Sequence, residues 1–318
     1  IMATYQTFTA IGEREDLSDV IYMITPSETP MMSSIGKGKA TAVFHEWQTD
    51  VLASPAHNKA VEGADGSDIT ATPTTRVGNY CQISTKTVKV AGTLEAVDKA
   101  GRKSEMAYQM AKVGKEIKRD MELTLVSNET ASAGNASTAR AAGGIQAWLN
   151  SNKDLGSGGT AGSAGTTARG NGTDRAFTET ILKNVIKQTY NSGGDPKVIL
   201  VPATQKVTLS GFAGIAAQRY LAPSDEPTTI IGAADVYMSD FGTLSVVPNR
   251  LMNTTTESDD GEIALVVDPE MLAVAYLRPF QTVDLAKTGD SEKKQLLTEW
   301  TLEVRNEAAH GIAGDLTE

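Results

Sequence analysis

Catalysis and metal binding depend on a few side-chain types held at tight spacing, and in this sequence those types are scattered. The three histidines, His45, His57 and His310, are far apart, and His45-Glu46 runs on into Trp47-Gln48-Thr49, so the H-E-x-x-H pattern that sets two zinc ligands on one helix face is not completed. Cys81 is the sole cysteine and sits in a β-like run, with no basic neighbour or helix N-terminus to favour a thiolate. It reads as a buried or interface thiol. The alternation Gly36-Lys37-Gly38-Lys39 lacks the G-x-x-x-x-G-K-[ST] spacing of a phosphate loop and reads as a flexible or extended connection. The acidic run ESDDGE from Glu257 to Glu262 departs from a calcium loop and reads as a solvated turn. No G-x-S-x-G elbow is present, nor a G-x-G-x-x-G after a strand. No catalytic, cofactor-binding or metal-ligating residue is expected, and the chain reads as a non-enzyme.

Composition narrows the classes further. The 318 residues are 40% apolar, enough for a sizeable core in one large or two joined domains. Against 29 basic residues stand 39 acidic ones, a net charge of −10 that disfavours a protein gripping nucleic acid by neutralising its phosphates. A lone cysteine excludes an intrachain disulfide framework and makes a reducing cytoplasm the expected compartment. The first residues lack the basic and apolar regions of a signal peptide. The apolar runs IALVV and MLAVAYL are separated by Asp268, Pro269 and Glu270, and neither reaches the ~20 residues of a membrane span. The Asn-x-Ser/Thr sites at Asn128, Asn135, Asn171 and Asn253 therefore read as chance.

The elements that would position any site are clearer than the site. In KSEMAYQMAKVGKEIKRDMELTLV, from Lys103 to Val126, the residues Met106, Met110, Val113, Ile117, Met121 and Leu125 recur at steps of three and four, which predicts one long helix with a narrow apolar stripe. Before it, a helix-like patch at Leu17 to Ile24 gives way to an extended arm containing Pro26 and Pro30. Thr41 to Val51 and Thr74 to Val90 follow, read as two strands of a hairpin with a loose tip. Tyr80, Gln82, Ser84 and Lys86 on one face of the second strand, and Asn79, Cys81, Ile83 and Thr85 on the other, make neither face a core face. A polar two-stranded ribbon is marginal in water, so the hairpin is expected to lie on a neighbouring subunit.

After the long helix, Gly144 to Leu149 is a short apolar segment, and Asn150 to Asp174 is so rich in Gly, Ser and Thr that it reads as an exposed flexible loop. A second amphipathic helix follows, with Phe177, Ile181, Leu182, Val185, Ile186 and Tyr190 inward and Gly193-Gly194 closing it. Then come a buried strand at Lys197 to Val201, a helix at Ala203 to Phe212, and strands within TTIIGAADVYMSDFGTLSVVP. In KQLLTEWTLEVRN, Leu296, Trp300, Leu302 and Val304 alternate with Glu299, Thr301, Glu303 and Arg305, a half-buried strand. Its antiparallel partner is expected at Met271 to Ala286, broken at Pro279, with the long helix covering the sheet.

An arm, a hairpin, a dominant helix, an inserted α/β unit and a closing antiparallel sheet resemble, in that order, the major capsid proteins of tailed bacteriophages with the Hong Kong 97-type fold. The stretches REDLSDVIYMITPSETPMMSSIGKGKA, HEWQTDVLASP, LEAVDKAGRKSEMAYQMAKVGKEIKRDMELTLV and VRNEAAHGIAGDL carry the resemblance. It implies an α+β chain divided into an N-terminal arm (1–39), an extended-loop hairpin (40–96), the spine helix with the first part of a peripheral domain (97–174), an axial domain (175–261) and closing peripheral strands (262–318). The implied function is a structural subunit that self-assembles through pentamers and hexamers into an icosahedral or prolate head in the host cytoplasm, enclosing double-stranded DNA without reading its sequence. Portal and scaffolding proteins are the implied partners, with decoration proteins as optional ones, and neither a cofactor nor a membrane is involved. Contacts between subunits are expected from Trp47, Asp50, Arg76, Tyr80 and Lys86 of the hairpin and from Lys115 and Arg119 of the spine. Some relatives crosslink a Lys to an Asn, and Lys59 with its acidic neighbours gives no basis for expecting that here. Two alternatives stand beside this reading: an encapsulin-like nanocompartment shell of the same fold, and a hydrolase or binding module of similar layout.

Overall fold

The computed structural model describes residues 25–63, 65–66, 68–99, 101–212, 235–253 and 262–317. The expected helix at Leu17 to Ile24, the acidic turn before Glu262 and most of the run from Thr228 to Asp235 lie outside them.

The organising element is the helix α3 (Glu105–Val126), preceded by two short ones, α1 (Pro30–Ser34) and α2 (Gly92–Ala96). Ser104 caps α3, its side chain accepting a hydrogen bond from the Ala107 N–H at 3.2 Å. The predicted stripe faces inward: Met106, Val113, Ile117, Met121 and Leu125 are buried, and Met110 is half-buried. Each fully buried aliphatic side chain contributes roughly 1.5–3 kcal/mol, so this stripe is a large part of what holds the helix down.

The stripe packs on a four-stranded sheet in the order β1-β10-β11-β4, formed by β1 (Gly36–Lys39), β10 (Leu272–Asp284), β11 (Ser291–Val304) and β4 (Gln82–Ala91). Val113, Ile117, Met121 and Leu125 share one core with Val274, Trp300, Leu302 and Val304, as the alternation of β11 predicts. The β10–β11 register shifts between Tyr276 and Arg278 and again before Gln281, where Pro279 cannot donate to the ladder. The outer face of β11 is not solvated, however. Glu299 and Thr301 are buried, and Glu299 takes Arg140 at 2.6 Å and Arg278 at 2.7 Å.

The arm and the hairpin differ from expectation. Pro30 starts a helix instead of preventing one, because proline's fixed φ suits the first helical position. The Gly-Lys alternation is then an edge strand, parallel to β10. Residues 74–90 are not one strand. The hairpin proper pairs only β2 (Phe44–Thr49) with β3 (Thr75–Tyr80), and after Cys81 the chain switches sheets so that β4 pairs along β11 from Gln82↔Trp300 to Ala91↔Ser291. The polar inward face of β4 is satisfied within its own subunit: Ser84 accepts from the Trp300 indole at 3.0 Å, Gln82 accepts from the Ala142 N–H at 3.2 Å, and Lys86 pairs with acids of α3.

The second body is a six-stranded sheet in the order β5-β12-β9-β6-β8-β7, with β5 (Lys153–Asp154), β6 (Val198–Val201), β7 (Val236–Ser239), β8 (Gly242–Pro248), β9 (Ala264–Val267) and β12 (Gly311–Ala313). The sheet crosses the expected boundaries at 174 and 261. Helices α5 (Glu179–Asn191) and α6 (Ala203–Ser210) accompany it, and Phe177, Ile181, Leu182, Val185 and Ile186 of the α5 region fill its core. Tyr190 is an exception, 55% exposed and stacked on Phe241 at 4.6 Å. The short helix α4 (Ile145–Trp148) is wholly buried.

The Gly-rich segment after Asn150 is ordered rather than loose. The Asp315 carboxylate accepts the N–H groups of Gly156 (2.7 Å) and Gly172 (3.0 Å) and pairs with buried Arg169 at 2.8 Å, gathering the segment around one charge. A Cβ on Gly159 would come within 2.6 Å of that carboxylate, which is why small residues are needed there.

Candidate assembly interface

The β2–β3 ribbon is anchored at its base and free at its tip. At the base, the Asn79 amide donates to Gly143 O (3.2 Å) and Leu302 O (2.9 Å), while its oxygen accepts from Gly143 N–H (2.9 Å). His45 meets Glu303 at 3.1 Å, and the Trp47 ring lies 5.4 Å from that of Trp148. Gly78 lets the two strands close, since a Cβ there would strike His45 O at 2.7 Å and the Phe44 ring at 2.9 Å.

Beyond Thr49 the described chain runs to Thr74 without helix or strand, and every described side chain in it is exposed. Val51 (85%), Leu52 (98%), Val61 (80%) and Ile69 (93%) offer apolar surface that no described residue of their own subunit covers. Isolated exposed apolar residues are ordinary, but four on one described segment without helix or strand are more apolar surface than such a segment usually exposes.

The residues expected at subunit contacts fall into different settings. Asp50 opens the exposed tip, its carboxylate accepting the Val51 N–H at 2.9 Å. Arg76 is exposed and pairs across the ribbon with Glu46 at 2.9 Å. Tyr80 is half-buried, its ring 4.5 Å from Phe44. Trp47 turns inward onto the core, and Lys86 is held inside the subunit by Asp120 (2.7 Å) and Glu116 (3.4 Å). Burial works against the Lys86 charge, but the hydrogen bonds and fields of Asp120 and Glu116 outweigh it and raise the pKa. Lys115 and Arg119 come together on the outward side of α3, lining a cavity of about 260 Å³ with Lys112, Glu116 and residues 25–27.

Sequence reasoning missed Glu122. This carboxylate is fully buried on α3 and accepts from the Met31 N–H (2.7 Å), the Met32 N–H (2.8 Å) and the Asn249 amide (2.7 Å), tying the arm, the spine and the six-stranded body at one point. Burial raises its pKa, more than the three hydrogen bonds lower it. In sequence it sits beside the apolar stripe like any flanking charge, and nothing local signals its burial. Cys81 is the buried thiol expected, its Sγ 3.5 Å from Ala42 O and its pKa pushed up to about 11 by burial. Among the described residues no cluster of His, Cys, Asp and Glu is placed to hold a metal, and no helix is long and apolar enough to cross a membrane.

A helix on a four-stranded sheet, a second sheet and a ribbon with no cover of its own describe a piece of a larger assembly, and comparison with known proteins decides which. The model of the SU10 major capsid protein family matches residues 2–317. The chain belongs to that family.

As a phage capsid protein it has relatives of two kinds. It is 39% identical over 119 residues to the major capsid protein of Escherichia phage Phieco32, a match spanning 37% of this chain and about a third (34%) of the relative's length. Its fold is shared with a solved capsid asymmetric unit of cyanophage A-1(L), at 14% identity, a TM-score of 0.70, and coverage of 98% of this chain and 99% of that one. A SrpI encapsulin from Synechococcus elongatus PCC 7942 aligns as well, at 10% identity and a TM-score of 0.56, over 96% of this capsid protein and 92% of the encapsulin. The mixed helix and sheet architecture is therefore that of Hong Kong 97-type capsids.

Proposed function

We propose that this chain is the major shell subunit of a tailed-phage virion and assembles with copies of itself, through pentamers and hexamers, into a head that encloses double-stranded DNA. The observation that supports it most is the hairpin tip with Val51, Leu52, Val61 and Ile69 uncovered, on a chain of a capsid family. Contacts weak in a pair act together in a closed symmetric lattice, where every copy supplies the same hairpin and the same receiving surface.

Scaffolding and portal proteins are the partners this reading requires, and the host cytoplasm is where assembly takes place. The role is structural, without catalysis. Asp50 and Arg76 on the ribbon are the candidates best placed to meet a neighbour, Lys115 and Arg119 line the outward cavity of the spine, and Trp47 and Lys86 act mainly inside the subunit. Lys59 in the exposed tip forms no covalent link, so intact particles on a denaturing gel run as monomer; a ladder above monomer size would refute this.

Electron microscopy and size-exclusion chromatography of the purified chain test the main reading. Closed shells or capsomers are expected, and a stable monomer at micromolar concentration overturns it. The encapsulin fold match keeps a second reading in view, which a cargo peptide co-purifying with DNA-free particles would favour.

A further inference from the structure

A chain of net charge −10 carries, among its described residues, several cations of α3 and β1 with no carboxylate partner. Lys112, Lys115 and Arg119 line the cavity of about 260 Å³ beside residues 25–27, with the carboxylate of Glu116 also in its lining. A second cavity of about 550 Å³ is lined by Lys118 of α3 and Lys37 of β1, with Thr29, Ser33 and Tyr276. Four of these five cations belong to α3 and the fifth to β1.

The acids that ought to neutralise them are engaged elsewhere. Lys86 reaches over from β4 to take Asp120 at 2.7 Å and Glu116 at 3.4 Å, and Lys112 reaches Glu116 only at 3.9 Å. Among the described residues, Lys37, Lys115, Lys118 and Arg119 have no carboxylate within ion-pair distance. The Arg119 Nε–H is moreover buried with no hydrogen-bond acceptor. Spacing suits a polyanion. From Lys112 to Arg119 the helix rises about 10 Å, at ~1.5 Å per residue, which matches about three steps of a duplex strand at ~3.4 Å each.

We infer that this set of cations on α3 and β1 is a binding site for the phosphate backbone of duplex nucleic acid, independent of base sequence. It goes beyond enclosure: each subunit makes a few salt-labile phosphate contacts on one face while the rest of the acidic chain repels the polymer. A small number of such contacts orders a duplex along a surface without holding it permanently.

Fluorescence anisotropy of a labelled 24-base-pair duplex against the purified full-length chain, across 25–200 mM KCl, tests it. Binding is expected with a slope of log affinity against log salt of about −3 to −4, as for about four phosphates neutralised. Replacing Lys37, Lys112 and Lys118 together by Gln should lower affinity at 50 mM KCl at least tenfold and flatten the slope by about 2 to 3. The charge-matched control Lys153→Gln, Lys183→Gln and Lys287→Gln, on other elements, should bind as the unmodified chain does. No binding by the unmodified chain overturns the inference, as does equal loss in the control. Displacement of the duplex by inorganic phosphate at constant ionic strength also overturns it, by reducing the site to a small-anion pocket. Micrographs of the unmodified chain are scored in parallel. Shells without duplex binding sink this site alone, and a monomer without shells sinks the capsid reading.

Discussion

His310 is a residue whose ionisation is bound to the fold. Its imidazole is fully buried, with Nδ1 accepting the Asp268 N–H at 3.1 Å, and burial pushes its pKa down from 6.5 to about 4 against the opposing hydrogen bond with Met271. The folded state therefore binds the proton more weakly than the unfolded chain. The full contribution is present above the unfolded pKa of 6.5 and is lost as pH falls toward about 4, after which it is flat. The loss amounts to about 3 kcal/mol at 1.36 kcal/mol per pKa unit. Urea unfolding of the unassembled subunit at a series of pH values should show it as the difference between the natural chain and His310→Gln; a flat difference between pH 6.5 and 4 would remove His310 from the account. Glu122 makes a second test at this scale. Glu122→Ala orphans two backbone N–H groups and the Asn249 amide in the interior, and should cost about 3 kcal/mol in the same assay, with Glu122→Gln less severe.

At the scale of elements, α3 divides its labour by face. Ile117 is 1% exposed in the core shared with Trp300 and Leu302, so Ile117→Asp buries an unpaired charge and should leave the subunit insoluble or unfolded by circular dichroism. Lys115→Gln, on the outward face, should keep the helical spectrum and change shell yield instead. If both variants are equally insoluble, the division of faces is wrong. These faces were legible in the sequence because the periodicity of α3 and α5 is the periodicity of their burial, whereas the alternation of β11 marks only the face that meets α3, its other face being covered as well. The switch of sheets at Cys81 was not legible: alternation of side chains continues through it, and only the pairing of β4 with β11, some two hundred residues away in the chain, splits the run. The order of the Gly-rich segment was hidden for the same reason, since it depends on Asp315, 143 to 159 residues distant. The candidate contacts were legible as polar residues on exposed elements, but a sequence does not show that Lys86 spends its charge on Glu116 and Asp120 inside the subunit.

At the scale of the whole molecule, the described residues separate packed cores from an exposed hairpin tip. The core that α3 shares with β10, β11 and one face of the six-stranded sheet, and the core on that sheet's other face, are built from described residues of one chain, whereas the described residues of the segment from Val51 to Pro73 contribute no buried side chain to either. Loop closure costs depend only weakly on length, so replacing Val51 to Pro73 by a four-residue Gly-Ser turn should leave the unassembled subunit as stable as before, within about 1 kcal/mol. The ribbon base keeps its anchors at Asn79, His45 and Trp47, which lie outside the deletion. Assembly should fail, because the uncovered Val51, Leu52, Val61 and Ile69 are the apolar surface a neighbour would bury, and the shortened chain would elute at low mass with no shells in the microscope. Shells of normal yield from the shortened chain would show that the hairpin is dispensable and move the interface to the spine and the six-stranded body. Loss of folding would show instead that the tip supports its own subunit, against the exposure of every described side chain in it.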